Sequence, residues 1–223
     1  MKIVQKSKIF VASLAAAAVL AGCPAALAVS PAGYSAPSEI EQTNAAEDEQ
    51  VQAIKAAAAK VTVSFDEVDR IWDFDSPYKS KAGNNAVSNT APWMFILDGV
   101  DTVYFGVDFT CFAKDPVDLD TVVIRAGDMR YSFECQPDYT GSGYIKDTKS
   151  YIATADFDLD DEMVGWFRDM LAQDKVIVRF VDGGKYIDYT WTAEDRQAIT
   201  DMINLYDMLK AASPEVRARA LNS

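Results

Sequence analysis

The chain runs to 223 residues, 49% of them hydrophobic, with 34 acidic against 21 basic side chains, a formal charge of −13 and no histidine. A surface this acidic repels phosphate backbones and anionic headgroups, which argues against nucleic acid as a partner. The missing histidine removes the usual general base near neutral pH, the commonest zinc ligand and the partner of serine or cysteine nucleophiles. No cofactor or metal motif takes its place, so none is expected, and any enzyme built from this chain works with carboxylates, lysine, tyrosine or a serine-lysine pair.

Residues 1–8, MKIVQKSK, are short and basic, and residues 9–21, IFVASLAAAAVLA, are an apolar run free of charge and too short to span a bilayer. Together they predict a secretory signal peptide over 1–28. Two cleavage sites stand open. Leu20-Ala21-Gly22-Cys23 resembles the lipobox of bacterial lipoproteins, and the resemblance implies a cut before Cys23, a lipid on its thiol and a membrane-anchored envelope protein. Ala26-Leu27-Ala28 also satisfies the small-x-small rule of ordinary signal peptidase, which would leave a secreted protein beginning at Val29. Loss of Lys2, Lys6 and Lys8 with the leader takes the charge from −13 to −16.

Residues 29–50 are small, polar and acidic and predict a disordered tether. One domain is expected over 51–212, followed by a flexible tail over 213–223. AIKAAAAK, residues 53–60, has helix propensity, and Val61 to Phe65 reads as a short strand. SPYKSKAGNNAVSNT, residues 76–90, is rich in turn formers and reads as a long loop. In residues 102–111 Val103, Phe105, Val107, Phe109 and Cys111 fall on one face of a strand, and 121–135 reads as a hairpin around Gly127-Asp128.

That hairpin sets Cys135 opposite position 120, and Cys111 ends its own strand nearby, so both thiols are expected at one end of one sheet. A disulfide between Cys111 and Cys135 follows, closing a loop of about 25 residues and contributing roughly 3–4 kcal/mol on the chain-entropy account. Two buried free thiols are the alternative.

Beyond a strand near Tyr151 to Asp156, DLDDEMVGWFRDML puts Met163, Val164, Phe167, Met170 and Leu171 on one helical stripe. KVIVRFV and KYIDYTW form a hairpin around Asp182-Gly183-Gly184, and Thr192 caps a last helix with Asp195 three residues on. The order predicts an α+β domain, an antiparallel sheet of meander and hairpins covered by two C-terminal amphipathic helices. VIRAGDMRYSFE, KVIVRFVDGGKYIDYTW and AITDMINLY are similar to a C-terminal module of uncharacterised bacterial secreted proteins and lipoproteins, a resemblance that implies no activity and no catalytic residues.

Asp156, Asp158, Asp160, Asp161 and Glu162 invite a calcium reading, but an EF-hand loop starting at Asp156 wants glycine where Asp161 stands and glutamate where Phe167 stands. Helix-terminus acids are the better account, and Asp115, Asp118 and Asp120 read as a loop. At least three of Trp72, Trp93, Trp166 and Trp191 are expected in the core. Tyr139 and Tyr144, in QPDYTGSGYIKD, are the candidate ligand surface. The expectation is a non-enzymatic domain that binds a protein or a surface polymer. The alternative is a carboxylate-dependent hydrolase of envelope glycan or peptide, which needs two acids converging about 5 to 10 Å apart.

Overall fold

The computed structural model describes residues 39–222, so the expected leader, Cys23 and residues 29–38 lie outside the described residues. Helix α1, Glu39–Ala58, begins inside the stretch expected to be a tether. The helix has a plain cause. Glu, Gln and Ala are strong helix formers, Val51, Ile54 and Ala57 bury one side of the helix, and Arg219 pairs with Glu47 and Asp48.

Among the described residues ten strands follow, all in antiparallel pairs, and they form two sheets. The six-stranded sheet contains β1 (Thr62–Asp66), β2 (Ile71–Asp75), β3 (Asn89–Leu97), β4 (Val103–Ala113), β7 (Thr140–Ile145) and β8 (Ser150–Leu159), in the order β1-β2-β3-β4-β8-β7. The four-stranded sheet contains β5 (Thr121–Ala126), β6 (Met129–Glu134), β9 (Val176–Asp182) and β10 (Lys185–Thr190), in the order β10-β9-β5-β6. Both glycine turns form as the sequence indicates, with Gly127 and Gly183 at φ +59 and +52, a region open to glycine without strain.

The expected long loop holds helix α2, Tyr78–Asn84, and ends where β3 begins. The expected QPDYTGSGYIKD loop holds a 3-10 turn, Pro137–Tyr139, and edge strand β7. Helix α3, Asp161–Leu171, is capped by Asp160, whose side chain accepts from the Met163 N–H. Helix α4, Ala193–Ala211, starts with the expected capping box of Thr192 and Asp195. Residues 214–221, expected as tail, form helix α5. Ser213-Pro214 ends α4 and also starts α5, since serine caps a helix and proline suits its first turn. Arg217 fixes that helix by donating from Nε to the Leu209 carbonyl at 2.6 Å and from Nη1 to the Asp101 carbonyl at 2.8 Å.

The inner face of the six-stranded sheet holds the core and is covered from two directions. Phe109 and Phe157 meet Phe133 of the other sheet at ring separations of 5.8 and 5.1 Å. Phe105 meets Tyr206 of α4 edge to face at 5.1 Å. The result is the expected α+β class, with α4 packed on β3 and β4 and α3 on β8. Of the four tryptophans only Trp191 is fully buried, and Trp72, Trp93 and Trp166 are half-buried, fewer core positions than expected.

Candidate functional site: the outer face of the six-stranded sheet

Because strand residues alternate between faces, the inward Phe105, Val107 and Phe109 of β4 leave Tyr104, Gly106 and Asp108 pointing outward. Register extends this outer face across four strands. Asp75, Trp93, Gly106 and Asp158 form one row, Asp73, Phe95 and Tyr104 a second, and Asp108 stands opposite Asp156.

The rings form a strip. Phe95 stacks on Tyr104 at 4.5 Å with planes 10° apart, and Trp93 lies 6.0 Å from Phe95 at 14°. Trp93 also crosses β4 over Gly106, where an added Cβ would come to 2.1 Å of its ring. From there its Nε1 donates to Asp156 Oδ1 at 2.6 Å.

Carboxylates border the strip. Burial raises the pKa of Asp156, and the Asp108 charge adds to the effect against the Trp93 hydrogen bond. Asp73 is also raised, by burial and then by Asp75 and Asp66. Asp108 is 8% exposed. Its Oδ2 meets Lys79 Nζ at 2.7 Å, while Oδ1 is buried with no hydrogen-bond partner among the described residues. Burial works against the Lys79 charge, but Asp108, with help from Asp75 and Asp156, outweighs it and raises the ammonium pKa.

Two hollows flank Trp93, and Asp156 borders both. One, of ≈ 320 Å³, is lined by Asp73, Asp75, Lys79 and Phe95. The other, of ≈ 300 Å³, is lined by Gln136, Tyr139, Phe157 and Asp158. The structure thus brings Tyr139, 60% exposed, to the site. Tyr144 does not join it. Its ring packs on Tyr151 at 5.0 Å, on the opposite face of β7 and β8.

Cys111 lies wholly buried on β4, whereas Cys135 follows β6, so the two are on different sheets rather than at one end of one sheet. Cys135 does sit opposite Asp120, to whose carbonyl its N–H donates at 2.9 Å. Burial pushes each thiol up to about 11. Asp161 accepts from Lys210 at 2.5 Å and from the Tyr206 hydroxyl at 2.8 Å, and Asp120 accepts from the Gly183 N–H at 2.7 Å. Among the described residues no group of three or more acidic or thiol side chains is placed to hold a metal ion.

Trp93, Phe95, Tyr104, Asp73 and Asp108 were not marked as a site by the sequence reading. Their signal was the segment PWMFIL…VYFGVDF, in which both parities of the alternation carry large or charged groups. No helix among the described residues is long and apolar enough to cross a membrane. No protein-family model, no curated protein and no solved structure matches the chain.

Proposed function

We propose that the protein is an exported, lipid-anchored envelope domain that docks a cationic segment of another protein on the outer face of its six-stranded sheet. The observation that carries this reading is the stacked strip Trp93, Phe95 and Tyr104, half-exposed among Asp73, Asp75, Asp156 and Asp158. Aromatic anchors surrounded by a polar rim are where protein interfaces concentrate their binding energy. The acidic border favours a basic partner and speeds its encounter. The basic and apolar leader and the lipobox-like Leu20 to Cys23 support export and anchoring at Cys23. A photoreactive amino acid in place of Tyr104 tests the reading on intact cells. It gives a discrete protein adduct, and the same group at Tyr186, 62% exposed on β10 of the other sheet, does not. Equal labelling from both positions would overturn the proposal.

A carboxylate-dependent hydrolase is the second reading, favoured by one observation. Asp108 and Asp156 are directly opposed, and such positions hold Cβ atoms about 4.5–5.5 Å apart, close to the carboxylate spacing of a retaining glycosidase. Against it, Asp108 is buried and tied to Lys79. Turnover of cell-wall glycan that disappears in Asp108→Asn decides for the hydrolase.

A further inference from the structure

The two hollows beside Trp93 differ in charge. The one that Lys79 enters has its own cation, whereas among the described residues no lysine or arginine lines the one bounded by Tyr139. The second arises because β7 pairs with β8 only from Ser150 to Ala155. Past that point the β8 edge is left without a strand at Asp156, Phe157 and Asp158, and the 3-10 turn sets Gln136 and Tyr139 beside it. Its wall therefore offers two carboxylates, one amide and the rings of Trp93, Tyr139 and Phe157.

We infer that this hollow receives the cationic end of a lysine or arginine side chain from the docked partner, held by Asp156 and Asp158 and flanked by Trp93 and Tyr139. The inference rests on the reading of the outer face as a docking surface and names the group it recognises. A cation gains twice here. It neutralises Asp156, whose charge is disfavoured by partial burial and by the neighbouring Asp108, and it meets aromatic faces whose quadrupoles attract positive charge. An anion is repelled by the same carboxylates, and a neutral sugar, although its hydroxyls can donate to them, brings no charge to neutralise. Asp156 is already oriented, since Trp93 Nε1 holds Oδ1 at 2.6 Å.

The test uses Nα-acetyl-lysine amide, Nα-acetyl-arginine amide and the neutral Nα-acetyl-norleucine amide, titrated into the purified domain while the Trp93 indole N–H is followed by NMR. A saturable shift is expected with a cationic compound and none with norleucine. Tyr139→Ala and Asp158→Asn, both at exposed positions, each weaken the cationic compound at least threefold. Equal binding of norleucine, no shift with either cation, or unchanged affinity in both variants would overturn the inference. Crosslinking from residue 104 separates it from the broader reading. If that adduct persists in Tyr139→Ala and Asp158→Asn with undiminished yield, the docking face stands and the cation pocket falls.

Discussion

Trp93 and Gly106 are fitted to each other: the indole of one strand occupies the space that a side chain on the next would need, 2.1 Å from where a Cβ would stand. Only this lets Nε1 reach across β4 to Asp156. Gly106→Ala therefore displaces the ring, breaks that hydrogen bond and opens the stack on Phe95. Overpacking of this kind costs about 1–3 kcal/mol. Urea denaturation should show the loss, near-UV circular dichroism should show the altered tryptophan environment, and the cost should shrink in a Trp93→Leu background. An additive cost in that background would mean that the two residues are not coupled.

The raised pKa of Asp156 makes a pH prediction. A carboxyl whose folded pKa lies above its unfolded value of 3.8 stabilises the fold below that value, and the contribution is lost as pH rises through the folded pKa. Asp156→Asn keeps an acceptor for Trp93 and removes the charge, so it should raise the melting temperature at neutral pH. The gain should vanish below the unfolded pKa, where both side chains are neutral. A variant less stable than wild type at neutral pH would contradict the assignment.

In the reduced protein the two thiols should differ. Cys111 is 0% exposed, Cys135 is half-buried, and both are pushed up to about 11, so neither holds much thiolate near neutral pH. Under native conditions iodoacetamide should modify Cys135 slowly and Cys111 only upon unfolding. Intact-mass spectrometry reads both, and modification of Cys111 at the rate of Cys135 would contradict its burial.

What the sequence made legible was local. Gly127, Gly183 and the Thr192 to Asp195 capping box each act within a few residues, and each forms as read. Strand β3 was hidden by Pro92, a residue that argues against a central strand. It is accommodated because β2 pairs only with residues 93–97, leaving Pro92 beyond its end. Strand β7, TGSGYI, has no apolar alternation and exists only as an edge added to β8. Helix α1 was misread because its acidic half draws support from Arg219, some 171 residues away in sequence. The site itself depends on register: Asp108 meets Asp156, and Trp93 meets Gly106, only after β3, β4 and β8 have aligned.

Anchoring should depend on the thiol of Cys23. Lipidated protein should partition into detergent and remain with membranes at high salt, because acyl burial is not electrostatic. Cys23→Ser should move it to the soluble fraction or stall its processing. An N-terminus at Val29 in both forms, with unchanged solubility, would point to the alternative cut after Ala28.

The docking face is tested most directly by crosslinking yield from residue 104 as charge is varied. Electrostatic attraction between Asp73, Asp75 and a basic partner is screened as the Debye length falls with salt, so the adduct should decline between about 50 mM and about 500 mM salt. It should decline likewise in Asp73→Asn/Asp75→Asn at the lower concentration. An adduct indifferent both to salt and to the loss of these two carboxylates would contradict a cationic partner on this face.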